Sequence, residues 1–197
     1  MSRSPFILAA LLLTTTAAAS ASEPAPPTAA PAAPAARAAS NTDALAFLDG
    51  VWIGPATFVT PTGERITMTQ MERVGPMLGG EIRIMEGKAR SADGQAVFNA
   101  FTVFAPTADG GISMRSHTPG HVGERVLELR PGGEGFAWEM AAGPNRIRYI
   151  ASVRGGVWRE TGFRIAADGT ETPFFEMTLQ RVGNTDWPAA NPQFPTR

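Results

Sequence analysis

The amino-acid sequence predicts an all-β protein: an antiparallel up-and-down closed barrel of about ten strands with one short N-terminal helix. Short runs of β-branched, aromatic and methionine residues begin at Trp52. Turn signals rich in Gly, Pro and Asp separate these runs at the roughly 8–12-residue spacing of small β domains. All 21 glycines of the 197-residue chain lie between Gly50 and Gly183, which marks the folded part. We expect such a long meander to close, because closure removes both unpaired edges.

The N-terminal segment predicts export. Residues 1–21 have the pattern of a signal peptide, with an apolar run at 6–13 and the small-x-small sequence Ala-Ser-Ala at 19–21. The apolar run is shorter than the ~20 residues that a bilayer-spanning helix needs. Residues 22–40 are rich in Ala and Pro and predict a disordered linker. The expected location is therefore periplasmic or extracellular, with no stable membrane insertion after signal cleavage.

A short helix is predicted directly before the first strand. Asn41 or Thr42 can cap its first N–H groups, and Gly50 can adopt a left-handed conformation at its end. Leu45 and Leu48 are three residues apart and share one face. Such an amphipathic helix could plug one end of a barrel.

The barrel domain is predicted to span residues 41–183, and an irregular Pro-containing tail follows at 184–197. The predicted strands are 52–60, 64–74, 80–87, 96–105, 111–117, 121–130, 135–142, 145–154, 157–166 and 173–182. Tight turns such as Gly155-Gly156 join most of them, since Gly reaches positive φ at little cost. Trp187 is expected to dock on the domain, because a large indole is seldom left free in water.

Side chains alternate between the lumen and the outside of a barrel, so the sequence also predicts what lines the lumen. In strand 64–74, Ile66 and Met68 share one face with Gln70 and Glu72. This change from apolar to polar along one face predicts a lumen with an apolar base and a polar mouth. A barrel of eight to ten strands leaves space for side chains or one small ligand.

Two residues make the expected barrel more specific. Trp52 belongs to a Gly-x-Trp motif, Gly50-Val51-Trp52, at the start of the first strand, and Arg181 lies near the end of the last. This arrangement resembles that of lipocalins and their calycin relatives. The resemblance implies that Trp52 and Arg181 are structural, with the indole packed under the guanidinium at the closed end in a cation–π or stacking contact.

A wider resemblance covers about residues 45–182. Residues 47–52, 72–80, 146–149, 158–162 and 173–179 are similar to a group of secreted bacterial calycin-like proteins of unknown function. These are distantly similar to nitrobindin-type barrels, some of which bind haem through a histidine late in the barrel.

This chain departs from that haem-binding pattern. Its histidines are His117 and His121, and strand 173–182 has none. No cofactor is therefore expected, and a haem-binding barrel remains a minor option.

The candidate ligand-binding set combines apolar and polar side chains predicted to lie within strands. It consists of Met68, Gln70, Glu72, Asn99, Arg115, Trp138, Tyr149, Glu160 and Glu176. A carboxylate facing the lumen needs an Arg or hydroxyl partner, for which Arg115 and Arg148 are the natural candidates, or its pKa rises. The alternative is that the charges decorate the outer face and that the aromatic and Met residues are ordinary barrel core.

No catalytic or metal-binding residue is assigned. His117 and His121 flank a turn and could face each other, but two histidines fall short of the three or four protein ligands of a zinc site. The chain has no cysteine, which excludes disulfides, thiolate metal sites and a thiol nucleophile. Its net charge of −1 gives no basic footprint for nucleic acid.

The function predicted from these features is non-covalent binding of a small hydrophobic or amphipathic molecule in the lumen. One alternative is a small-molecule isomerase or hydrolase that uses a lumenal carboxylate or histidine. The other is a haem-binding barrel or a purely structural module with a filled lumen.

Overall fold

The computed structural model describes residues 41–132 and 134–187. The predicted signal peptide and linker, and residues 188–197 of the tail, lie outside the described residues. The strands are β1 Gly50–Val59, β2 Arg65–Met77, β3 Ile82–Arg90, β4 Ala96–Pro106, β5 Ile112–Thr118, β6 His121–Val126, β7 Glu128–Leu129, β8 Gly135–Ala142, β9 Asn145–Arg154, β10 Val157–Ile165 and β11 Glu171–Gly183. Two 3₁₀ helices cover Asn41–Leu48 and Leu78–Gly80. No described helix has the length and apolar character needed to cross a membrane.

The strands form one antiparallel sheet that is nearly closed into a barrel. Its order is β6-β5-β4-β3-β2-β1-β11-β10-β9-β8-β7, so each neighbouring pair follows in sequence except β1 and β11. Pairing of the first and last strands closes most of the wall, for example at Trp52 with Arg181 and at Phe58 with Phe175. The predicted all-β, up-and-down barrel is confirmed, with eleven strands rather than about ten.

The additional strand comes from a break at Leu127, which the sequence did not reveal. The predicted strand 121–130 pairs with β5 over β6 and then with β8 over β7. Leu127 is buried between the two, and its N–H donates to the Ile112 carbonyl at 2.8 Å. One continuous segment therefore joins both ends of the sheet. Among the described residues, no backbone ladder pairs β6 directly with β8.

The first 3₁₀ helix closes one end of the barrel as expected, but through different contacts. Leu45 and Leu48 are fully buried. The Thr42 hydroxyl donates to the Gly80 carbonyl at 3.1 Å. Arg83, only 4% exposed, donates to the Thr42 carbonyl and bonds Asp49 at 3.0 Å. The helix is thus fixed by a buried arginine that the sequence did not single out.

Trp52 and Arg181 both lie at this closed end, but they do not form the expected stacking pair. The Trp52 indole is buried, donates to the Leu48 carbonyl at 2.7 Å and meets Trp158 edge-on at 5.8 Å. The Arg181 guanidinium donates instead to the Asp49 carbonyl, at 3.1 Å from Nη2. Arg181 therefore stabilises the end of the helix from outside, whereas Trp52 packs within the core.

The described part of the tail contacts the outer face of β2. The Arg73 guanidinium lies 3.9 Å from the centre of the Trp187 ring, and it bonds Asp186 at 2.8 Å. Gly75 provides the space, since a Cβ there would lie 2.8 Å from Thr185 and 3.0 Å from Trp187. The expectation that Trp187 docks on the domain is confirmed.

Candidate functional site

The barrel encloses a cavity of about 580 Å³, within the roughly 300–1,000 Å³ range of small-molecule sites. Its lining consists of inward-facing side chains from all strands except the two-residue β7. The lining residues are Phe58, Ile66, Met68, Gln70, Glu72, Met85, Gly87, Val97, Phe98, Ala100, Thr102, Met114, Ser116, Thr118, His121, Gly123, Arg125, Phe136, Trp138, Met140, Tyr149, Trp158, Glu160, Phe175 and Met177. The lumen is therefore open, in contrast to the predicted alternative in which side chains fill it completely.

Six of the nine candidate residues line the cavity and three do not. Those that line it are Met68, Gln70, Glu72, Trp138, Tyr149 and Glu160. Asn99, Arg115 and Glu176 are exposed and absent from the lining. Glu176 lies between Phe175 and Met177, which point inward, so alternation turns it outward.

The two arginines expected to partner lumenal carboxylates also lie elsewhere. Arg115 approaches Glu124 at 3.7 Å, and both side chains are largely exposed. Arg148 approaches Glu139 at 3.4 Å and Glu128 at 3.8 Å. These ion pairs belong to the outer face, where screening by water makes each worth little.

The expected polarity of the lumen is reversed. Glu72 pairs in register with Trp52 at the helix-plugged end, whereas Ile66 pairs with Phe58 at the other end. Val97 and Phe98 also line the cavity, and they are 48% and 42% exposed. The mouth is therefore mainly apolar, and the carboxyl groups lie at the floor.

Glu72 is the most deeply placed carboxyl group of the cavity, at 6% exposure. Its Oε1 accepts a 2.5 Å hydrogen bond from the Gln70 amide, whereas Oε2 is buried without a hydrogen-bond partner. Burial, with a smaller contribution from the nearby Glu160 and Glu86 carboxyl groups, raises the pKa of Glu72 to about 8 against the lowering effect of the Gln70 hydrogen bond. Glu72 is thus largely protonated at neutral pH unless a cation joins it.

Gly87 provides the space that the Glu72 carboxyl group occupies. A Cβ at position 87 would lie 2.8 Å from Oε2 and 2.9 Å from Oε1. The glycine is therefore part of the cavity floor, and its role depends on strand pairing that the sequence alone does not display.

Replacing Gly87 by alanine is expected to destabilise the fold by about 1–3 kcal/mol, the usual cost of overpacking, because the new methyl group collides with both Glu72 oxygens. Urea unfolding monitored by tryptophan fluorescence measures the change. Gly183→Ala is the matched control, since a Cβ there meets no atom within 4 Å. Equal stability of the two variants would show that Glu72 does not rest against Gly87.

Glu160 is the second carboxyl group of the floor. It is half-buried, and its side chain lines the cavity. Burial raises its pKa to about 7, opposed in part by the neighbouring Trp158. The floor therefore combines two carboxyl groups, and Glu72 Oε2 is an acceptor without a partner.

An aromatic wall rises from this floor. Trp138 and Tyr149 stack at 4.3 Å with an interplanar angle of 16°, and Phe175 packs against Tyr149 at 5.7 Å. Burial raises the pKa of the Tyr149 hydroxyl above its ordinary value, and the Glu160 carboxyl adds to the effect. The phenol is therefore neutral and can only donate or accept a hydrogen bond.

Arg125 is the lumenal cation that sequence reasoning missed. Its guanidinium lies 4.6 Å above the Trp138 ring, and Nη2 is 3.8 Å from the Met140 sulfur, so it spans the break between β6 and β8. Gly123 leaves room for it, because a Cβ there would collide with Nη2. The inward alternation of His121, Gly123 and Arg125 along β6 is the signal that could have found it.

The two histidines do not face each other. His121 lines the cavity rim, whereas His117 is exposed, lies outside the lining and pairs in register with Phe101. Within residues 41–132 and 134–187, no group of three or more His, Asp or Glu side chains could hold a metal ion.

Comparison with known proteins identifies the fold but no family. No family model and no curated protein matches the chain. The crystal structure of Rv2717c from M. tuberculosis aligns with 73% of this chain and 98% of its own, at 16% identity and a TM-score of 0.59. The S-type phycobiliprotein lyase CPES from Guillardia theta aligns with 75% and 95%, at 9% identity and a TM-score of 0.51. At these identities the likeness shows a lipocalin-like barrel and nothing finer.

Proposed function

We propose that this barrel binds a small amphipathic molecule in its lumen without covalent chemistry. The observation that carries the proposal is the cavity of about 580 Å³, which is mainly apolar along its wall and mouth and has two carboxyl groups at its floor. The mouth of a β-barrel is a common place for such a site. The apolar part of the ligand lies against the aromatic wall, and its polar end reaches Glu72 and Glu160.

The methionine content of the wall supports an adaptable site. Five methionine side chains line the cavity: Met68, Met85, Met114, Met140 and Met177. Methionine has three rotatable bonds and a polarisable sulfur, so such a wall adjusts to ligands of different shape. We also propose that binding takes place in the periplasm or outside the cell, because residues 1–21 have the pattern of a cleaved signal peptide.

Filling the lumen tests the proposal. Ala100→Trp places an indole in the cavity and is expected to weaken the binding of N-phenyl-1-naphthylamine, an apolar fluorescent probe, by about tenfold or more. Ala141→Trp is the matched control, since Ala141 is exposed and outside the lining. Fluorescence titration gives both affinities, and circular dichroism checks the fold. Equal affinities would place the probe outside the lumen.

A second candidate function is proton-transfer catalysis on a small molecule, as in an isomerase. It is favoured by the two floor carboxyl groups, whose pKa values of about 8 and about 7 suit a general acid and a general base near neutral pH. Under this reading, Glu160→Gln abolishes turnover of a bound molecule and preserves its binding. If every molecule that binds to the wild-type protein is recovered chemically unchanged, binding without catalysis is the function.

A further inference from the structure

The floor of the cavity holds two carboxyl groups that become negatively charged when they lose their protons, and no cation among the described residues offsets that charge. Glu72 and Glu160 both line it, and neither forms an ion pair with a described basic side chain. A further carboxyl group near Glu72, that of Glu86, already has two partners, Arg73 at 3.3 Å and Lys88 at 2.5 Å.

Arg125 does not supply the missing charge. Its guanidinium stacks on Trp138 at the break in the wall. Arg125 is not among the groups that change the pKa of Glu72 or of Glu160. A buried carboxylate without a counter-charge is costly, and these two groups avoid the cost by holding protons. A positively charged ligand would supply the missing counter-charge, so that both carboxyl groups could lose their protons without this energetic cost.

The unused hydrogen-bonding capacity at the floor points the same way. Glu72 is nine-tenths buried, lines the cavity and has one oxygen without a partner. Glu160 offers further acceptor positions beside it. A protonated amine has three N–H donors and no acceptor, so it can bond several carboxylate oxygens at once, and such charge-assisted bonds are about twice as strong as neutral ones.

We propose that the ligand is an apolar amine whose protonated nitrogen pairs with Glu72 and Glu160 at the floor. This inference rests on the proposed lumenal binding. The apolar body lies against the apolar side chains above the floor, such as Phe58, Ile66 and Met68. A carboxylate ligand would meet two acidic groups at the floor, and an alcohol would bring one donor and no charge.

Three probes with the same alkyl tail separate these ligand classes: octylamine, octanol and octanoate. By isothermal titration calorimetry at slightly alkaline pH, octylamine is expected to bind about tenfold more tightly than octanol, and octanoate more weakly than either. Glu72→Gln and Glu160→Gln are each expected to lower octylamine affinity about tenfold and to change octanol affinity less than about threefold. Glu176→Gln, on the outer face, is the control and is expected to change neither.

Failure of this inference is distinguishable from failure of lumenal binding. If octanol and octanoate bind as tightly as octylamine, the amine assignment is wrong and binding in the lumen stands. If octanoate binds most tightly and Arg125→Gln removes that preference, the site takes an anion through Arg125, and the inference is overturned. If none of the probes binds to wild-type protein with a native circular dichroism spectrum, both proposals are contradicted.

Discussion

Replacing Trp52 by alanine is expected to lower the free energy of unfolding by about 3–5 kcal/mol, the usual loss for a large aromatic truncated in a core. The indole is 1% exposed, meets Trp158 edge-on at 5.8 Å and donates to the Leu48 carbonyl at 2.7 Å. Its removal leaves a cavity and frees the helix that plugs the closed end. Urea unfolding monitored by far-ultraviolet circular dichroism measures the loss.

Two further variants separate packing from hydrogen bonding at this position. Trp52→Phe retains most of the buried ring and loses the N–H donor, so its loss is expected to be smaller than that of the alanine variant. Ile53→Ala changes a residue of the same strand that is 38% exposed, and it is expected to cost less than about 1 kcal/mol. If Trp52→Ala costs no more than Ile53→Ala, Trp52 does not hold the closed end.

The Glu72→Gln variant is expected to be more stable than the wild type at alkaline pH and equally stable near pH 4. The ordinary pKa of the carboxyl group is 4.5, and burial raises it to about 8 in the folded protein. Below 4.5 both states hold the proton, so the wild type loses nothing. Between 4.5 and 8 the unfolded chain releases its proton and the folded one keeps it, so stability falls as pH rises.

The size of this effect follows from the pKa shift. One pKa unit corresponds to about 1.4 kcal/mol, which sets an upper limit of roughly 5 kcal/mol for the gain of Glu72→Gln above pH 8. Glu160→Gln is expected to act in the same direction and less strongly, because its pKa is raised only to about 7. Thermal unfolding across the pH range measures both. A Glu72→Gln variant less stable than the wild type at alkaline pH would show that the carboxylate has a partner in the folded protein.

Much of the barrel could be predicted because its strands alternate cleanly. Phe136, Trp138 and Met140 point into the lumen as the two-residue period indicates, and so do Phe175 and Met177. The break at Leu127 could not be predicted, because β6 and β7 form one unbroken β pattern in the sequence. Only their pairing with different neighbours separates them.

The sequence prediction placed the polar end of the lumen at the mouth instead of the floor, although the sequence contained the information needed to orient it. The helix precedes β1, so the closed end lies at the start of β1. An antiparallel β2 must then bring its later residues, including Glu72, beside Trp52. Arg83 and Gly87 could not be identified in this way, since their roles depend on neighbours that are distant in sequence.

Binding in the lumen is the central claim, and methionine-methyl NMR tests it most directly. With ¹³C-methyl-labelled methionine, octylamine is expected to shift the resonances of the five lumenal methionines: Met68, Met85, Met114, Met140 and Met177. Met71 and Met77 belong to β2 but lie outside the cavity lining, and their resonances are expected to stay in place. Shifts confined to Met71 and Met77, or saturable binding that moves no lumenal methyl group, would contradict the account.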